Sequence, residues 1–596
     1  MTLSLQQAVQ LLQAGRVAEA EAGLSARLVQ QPGDVEALQL RGMARGRLGQ
    51  FEAGAADLKQ AAKRHSQPHA VLNNLGNLYR RAGDLEGAVA AYRAALSKQA
   101  GFIDAQYNLG ICLSDQGEYD SAVAAFRAVL DRQPAHGNAL NGLGLALRRS
   151  GDFSAAMTAF DAALARDGRN AIALVNRGAL HRALDQHDAA LADLELACRL
   201  APGMADAWFQ MGHAYRTLGR LGEARQAYMR AVQCAPLRAD IHRELAGLVW
   251  EMGEGHLATQ VIESVLQQMP DAELHYAHAQ LLLRSGWNER AIHAASAALK
   301  LKPEHHAARA LRGELRVREG DSEQGLEDLR AAREATGGQD FAILHQLVEA
   351  CLSTGRADEA ASYLEGDAPA EHLQKHVALQ ATAWRCVGDG RYYDYYDYDR
   401  LTGKRFIEVP DGYASLDEFN AALSESIRRL HVASAPPIDQ TLFGGTQSPG
   451  RLWDADDPVI KALGGALLKA ARAFVAELPD DSRHPFLRRK STSLELAGAW
   501  SVRLSSGGGH VDHIHPAGWI SASYYVEVPE SVLGGERGGW LRLGAPGIAG
   551  LDLPAERYIK PEAGAAIFFP SYMWHGVEAF QSPQVRVTAP FDLLPV

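Results

Sequence analysis

Through the first two thirds of the chain, apolar residues recur with the spacing of one face of a helix and polar residues fill the positions between. The pattern repeats as a block. Gly42, Gly76, Gly110, Gly144, Gly178 and Gly212 stand 34 residues apart, and Ala246 continues the series. A second series, Gly49, Gly83, Gly117, Gly151, Asp185, Gly219 and Gly253, keeps the same period. Alanines mark a third position at Ala88, Ala122, Ala156, Ala190 and Ala224, each followed four residues later by Tyr92, Phe126, Phe160, Leu194 or Tyr228. Prolines close several blocks, at Pro134, Pro202, Pro236, Pro270 and Pro303. Each block therefore predicts two amphipathic helices. A small residue sits where they cross, a turn residue joins them, and a bulky residue fills the gap to the next block. One hairpin cannot bury its own apolar face, so the blocks are expected to stack into a solenoid.

These residues resemble tetratricopeptide repeats over roughly residues 1–365, in about ten units with degenerate ends. The resemblance implies an all-α solenoid with a groove for a protein or peptide. Its aromatic repeat positions are core, and the charges along its helices are solvated faces.

The period fades after Gly355, and a last helix pair is expected to reach about Val387. The tyrosine- and aspartate-rich stretch GDGRYYDYYDYDRL (388–401) then breaks the helical pattern. Residues 415–432 and 456–477 still read as amphipathic helices. From about Ser491 the chain reads as short strands between Gly and Pro clusters: 494–504, 519–528, 539–546, 565–574 and 585–594. Such spacing predicts a small barrel or jelly roll. The expected organisation is a solenoid at 1–370, a last helix and linker at 371–390, and a double-stranded β-helix domain with flanking helices at 391–596.

The candidate chemistry lies in that last part. GGGHVDHIHP holds His510, Asp512, His513 and His515 within six residues, and His575 follows in FFPSYMWHGVEAF. Residues two apart on a strand share a face, so His513 can act with His515, or His510 with Asp512. His575 from a distant strand completes a facial set that leaves positions open on a metal ion. Gly507 to Gly509 lack the G-x-x-x-x-G-K-[ST] context of a phosphate loop and read as a loose loop ahead of the metal strand. Arg586 lies 11 residues after His575 on the next apolar strand, and its guanidinium can hold a carboxylate through two parallel bonds. Thr588 shares its face. Ser521 and Tyr525 share one face of the strand after the histidines.

At these residues the chain resembles the 2-oxoglutarate/Fe(II) oxygenases. The narrower likeness is to a bacterial and phage family with the pattern H-x-H-P, here His513 to Pro516, followed by S-x-x-Y-Y, here Ser521 to Tyr525. The segment 436–447 and the closing FFPSYMWHGVEAF and RVTAPFDL extend the likeness over roughly 390–596. The resemblance implies Fe(II), 2-oxoglutarate as co-substrate and O2, with release of succinate and CO2. His575 is then the distal iron ligand and Arg586 the co-substrate arginine, with Tyr525, Thr588 and Ser521 around it. The metal set reads as His513, His515 and His575, with Asp512 or His510 as alternative ligands. The enzyme so implied hydroxylates a protein or peptide brought by the repeats. The alternative is a protein-binding scaffold whose metal cupin is inactive or independent of 2-oxoglutarate.

Composition narrows the partners. A net charge of −11 gives no reason to expect nucleic acid or an anionic membrane. The first residues lack the continuous apolar stretch of a signal peptide, and no stretch is long enough to span a bilayer. Five cysteines, none in a CxxC pair, argue against a disulfide framework and fit the cytoplasm. G-x-S-x-G, dinucleotide-binding glycines and H-E-x-x-H do not occur.

Overall fold

The computed structural model describes residues 3–431, 441–448 and 452–596. It divides into two compact units, Met1–Ala214 and Tyr215–Val596. Part of the segment 436–447, residues 436–440, lies outside the described residues.

The first unit is a helical solenoid. Helix Pro68–Arg81 pairs with Leu85–Lys98, Ile103–Asp115 with Tyr119–Arg132, and Gly137–Ser150 with Phe153–Arg166. Aspartates start several second helices. Asp84 and Asp152 each accept a backbone N–H three residues on, which satisfies one of the free donors of the first turn. The turn series has a conformational cause. Gly49, Gly83, Gly117 and Gly151 have φ between 78° and 91°, and Asp185 takes the same left-handed region at 56°. Aspartate is among the few non-glycine residues that tolerate it.

The crossing series has a packing cause. A Cβ on Gly144 would lie 2.5 Å from the ring of Phe160, which is fully buried. Phe126 is wedged between Gly110 of its own unit and Gly142 of the next, where added Cβ atoms would stand 2.8 and 2.6 Å from its ring. The bulky residue thus seals both its own hairpin and the joint to the following one.

In the second unit, helix pairs of the same kind run to Ala357–Tyr363, and Leu373–Val387 follows. The tyrosine-rich stretch then folds into two short helices, Arg391–Tyr395 and Tyr398–Leu401. It packs inward: Tyr392 and Tyr396 are each 3% exposed. The helices expected near 415–432 and 456–477 are Leu416–Leu430 and Pro458–Glu477.

Among the described residues ten strands form one antiparallel sheet: β1 (Gly403–Phe406), β2 (Leu442–Gln447), β3 (Leu494–Ala499), β4 (Val502–His513), β5 (Ile520–Glu527), β6 (Leu541–Leu543), β7 (Arg557–Ile559), β8 (Ala565–Pro570), β9 (His575–Val577) and β10 (Arg586–Pro595). Their order is β1-β8-β5-β10-β4-β9-β6-β7, with β2 on β4 and β3 on β10, consistent with the jelly-roll expectation. The reading at 494–504 as one strand divides into β3 and β4. Gly507 to Gly509 belong to β4 rather than to a loop. They accept the close approach of β2, since a Cβ on Gly508 would lie 2.6 Å from the carbonyl oxygen of Gly444. Strands β1, β2 and β7 add to the expected set, and the strand expected through His575 is divided into β8 and β9.

Most of β10 is buried on both faces. One face, Arg586, Thr588, Pro590 and Asp592, lines a cavity. The opposite layer packs against the two long helices: Phe474 stacks on Phe568 of β8, and Tyr524 of β5 donates to Asn420 at 2.6 Å. The last repeat helices and the sheet share one hydrophobic core, from Leu347 and Trp384 to Phe568 and Leu593.

Two predictions concern stability. Phe160→Ala should cost about 3–5 kcal/mol, read as lost hydrogen-exchange protection in Gly137–Ser150; unchanged protection there would contradict the wedge. His345 is 6% exposed beside His372, Lys375 and His376, and burial holds its imidazole down at about 3, below its ordinary 6.5. The folded unit therefore binds fewer protons than the unfolded chain across that interval. Its stability should be complete above pH 6.5 and fall as the pH drops toward 3. His345→Leu should flatten this slope in melting temperature between pH 7 and pH 4, and an unaltered slope would assign the effect elsewhere.

Candidate functional site

The antiparallel pairing of β4 with β9 sets His513 directly across from His575 and His510 across from Val577. Between these two pairs the register shifts, so His510 and His513, three apart, both reach the cavity. His515 follows β4 and enters the same space. Ring centroids lie 4.2 Å apart for His513 and His575, 4.9 Å for His515 and His575, and 5.2 Å for His513 and His515. The candidate ligand atoms of these three residues all lie within 4.8 Å of one another.

Each ring is fixed from behind. Nδ1 of His513 faces the carbonyl of Val511 at 2.8 Å, Nδ1 of His575 that of Met573 at 3.0 Å, and Nδ1 of His515 the carboxylate of Asp592 at 2.6 Å. All three partners are acceptors, so Nδ1 carries the proton and Nε2 presents a lone pair. Burial holds His513 down at about 4 and His510 and His575 well below their ordinary range, which keeps these imidazoles neutral, the form that binds metal. Nε2 of His513 and Nε2 of His515 stand 3.2 Å apart. Two lone pairs at that distance repel unless a cation lies between them. Imidazoles sharing one divalent ion, with bonds of about 2.1 Å, set their nitrogens about 3.0–3.4 Å apart. The donor set fits a divalent metal.

The other expected residues divide. Asp512 turns away from the cluster: its carboxylate takes a two-pronged bond from Arg542 on β6, at 2.8 and 2.6 Å. His510 lines the cavity, with Nδ1 3.3 Å from the hydroxyl of Thr441, and is not among the three clustered nitrogens. Arg586, Tyr525 and Thr588 come together on the cavity wall. Ser521 does not: it is fully buried and bonds the hydroxyl of Ser571 at 2.9 Å and Asp592 at 2.7 Å.

Arg586 is 2% exposed, and its guanidinium lies 5.1 Å from the Tyr525 ring centroid. Burial pulls it below its ordinary range. Among the described residues no carboxylate pairs with it, and its Nε and the Tyr525 hydroxyl are buried without a hydrogen-bond partner. The cavity, of about 310 Å3, runs from this cation to the three Nε2 atoms, with Trp500, Leu541 and Phe569 among its apolar walls.

Two contributions escaped the sequence reading. Asp592 shares the period-two face of Arg586 and Thr588, a signal present in the strand itself. Trp574, next to His575, is held by elements far away in sequence. Its indole N–H donates to Thr382 at 2.9 Å, its backbone N–H to Tyr396 at 3.1 Å, and its carbonyl accepts from Gly544 at 2.9 Å.

Comparison with known proteins bears on both parts. The family model described as "Putative 2OG-Fe(II) oxygenase" matches residues 498–592. Tetratricopeptide-repeat models match 40–102, 107–171, 144–205, 205–236 and 276–340. No curated protein matches the chain. Among solved structures it is similar to MamA (25% identity, 28% of this chain and 97% of that one, TM-score 0.25). It is also similar to a thermophilic tetratricopeptide protein of Thermus thermophilus (22%, 30% and 99%, 0.29) and to yeast Tom70 (12%, 66% and 96%, 0.38). Among the described residues no helix is long and apolar enough to cross a membrane. The chain thus joins tetratricopeptide repeats to a domain that matches the family described as "Putative 2OG-Fe(II) oxygenase".

Proposed function

We propose that this protein is a 2-oxoglutarate- and Fe(II)-dependent dioxygenase that hydroxylates a protein or peptide recruited by its repeats. One observation carries the reading: a buried arginine without a counter-ion stands in the same cavity as three metal-ready imidazoles. A buried cation with no partner is costly, and a carboxylate from a bound molecule removes that cost. A dicarboxylate whose other end reaches the imidazoles fits both ends of the cavity.

In this reading His513, His515 and His575 hold the metal. Bound there, ferrous iron with 2-oxoglutarate supplies the oxidising power to place one oxygen of O2 on a C–H bond, with succinate and CO2 as co-products. The chain's own residues bind and orient. Arg586 grips the distal carboxylate, and the hydroxyls of Tyr525 and Thr588 complete its hydrogen bonds. Phe569 and Leu541 keep water from the metal side of the cavity. The repeats supply an extended surface of the kind that binds polypeptides, and five cysteines with no CxxC pair among them suit a reducing compartment such as the cytoplasm. The all-imidazole donor set also suits a metal cupin that works without 2-oxoglutarate, and the first experiment below separates the two.

Anaerobic addition of Fe(II) and 2-oxoglutarate should give a weak visible charge-transfer band. Folded, iron-loaded protein that shows no band would rule out the co-substrate. Arg586→Ala should raise the 2-oxoglutarate Kd roughly 10- to 150-fold, the worth of a hydrogen bond to a charged group, with iron binding retained. For the metal, His513→Ala, His515→Ala and His575→Ala should each lose stoichiometric iron on gel filtration, whereas Asp512→Ala keeps it. Retention of full iron by any of the three histidine variants would remove that residue from the ligand set.

A further inference from the structure

We propose that Asp592 is the positioning carboxylate of the metal centre, acting through His515 from one layer behind it. The inference rests on the metal reading above and goes beyond it.

Three neutral imidazoles leave the whole charge of a divalent ion uncompensated, whereas a site with one carboxylate ligand halves it. Here a carboxylate is present but displaced. Asp592 accepts the Nδ1–H of His515 at 2.6 Å, on the ring edge opposite the Nε2 that faces the cluster. The other two imidazoles rest on neutral backbone carbonyls. The three rings are therefore unequal, and His515 is made the strongest donor.

Asp592 is also a buried anion without a cation of its own. It is 8% exposed, and among the described residues no lysine or arginine pairs with it. Its remaining bond is to the hydroxyl of Ser521 at 2.7 Å, and Ser521 in turn meets Ser571. The turn after His515 closes over this group through Gly518, where a Cβ would stand 2.4 Å from the Ser571 hydroxyl and 3.2 Å from the Asp592 carboxyl carbon. An anion enclosed this closely calls for a positive charge nearby. The metal position offers one, across the His515 ring on Nε2. Ser521, backed by Ser571 and Gly518, thus holds the carboxylate against the Nδ1 edge of His515.

The test is anaerobic equilibrium dialysis of Fe(II) with the full chain and with Asp592→Asn, alongside the melting temperature of each metal-free protein. The wild type should bind one equivalent. D592N should bind 10- to 100-fold more weakly, the usual range for loss of such a partner, while melting close to the wild type without metal. Affinity within threefold of the wild type, or tighter, overturns the role of Asp592 and leaves the metal centre standing. A wild type that binds no iron overturns the centre and this inference with it. If D592N does not fold, the wild type loaded with Zn(II) and labelled with 15N-histidine carries the test. One ligand Nδ1–H proton should resonate well downfield of the other two, because a carboxylate deshields it more than a carbonyl does. Three alike would overturn the proposal.

Discussion

The pairing of β4 with β9 is the constraint from which the site follows. A strand alternates its side chains strictly, so residues three apart face opposite ways unless the ladder slips. The slip between His510 and His513 does this once, and its effects reach every neighbour. It turns His513 onto His575 and leaves His510 on the same wall. It also delivers Asp512 to the far side, where Arg542 takes it up. The one carboxylate within the histidine motif is thereby committed to tying β4 to β6 across β9.

Electrostatics then follows from what the cavity lacks. Among the described residues lining it, His510, His513 and His575 are held neutral, the one guanidinium has no counter-ion, and the one carboxylate bonds the His515 ring. A divalent cation, a doubly charged dicarboxylate, Arg586 and Asp592 sum to zero. No subset that leaves out either guest does so with both ends of the cavity satisfied. Under the proposed function, charge balance agrees with the pair of guests that the two ends of the cavity fit.

Much of the solenoid was legible because its marks are imposed by the backbone. A left-handed turn admits glycine or, at Asp185, an aspartate, and a helix crossing under Phe160 admits only glycine. The longer strands were legible from apolar runs. Strands of three or four residues, such as β7 and β9, carry no periodicity of their own and exist because neighbours pair with them. Gly507 to Gly509 read as loop because glycine is uncommon within strands, whereas here the crowding of β2 requires it. The choice between Asp512 and His515 could not be made by counting, since the count fails at the slip. Asp592 was visible in principle, two steps along the face from Thr588, but nothing local links it to a histidine 77 positions away.

The tyrosine-rich stretch read as a boundary, yet it and the helix before it are bonded to the sheet at several points. Tyr392 and Tyr398 converge on Glu556, Arg385 reaches the carbonyls of Gly544 and Pro554, and Tyr572 binds back to Tyr395. Trp574, 3% exposed, lies under the helix Leu373–Val387. A gene fragment opening at β1 would therefore encode a sheet with one wall missing and its indole bare to water. The smallest portion that evolution or a protein engineer could graft onto another repeat array starts ahead of Leu373, with the last helix as part of the graft.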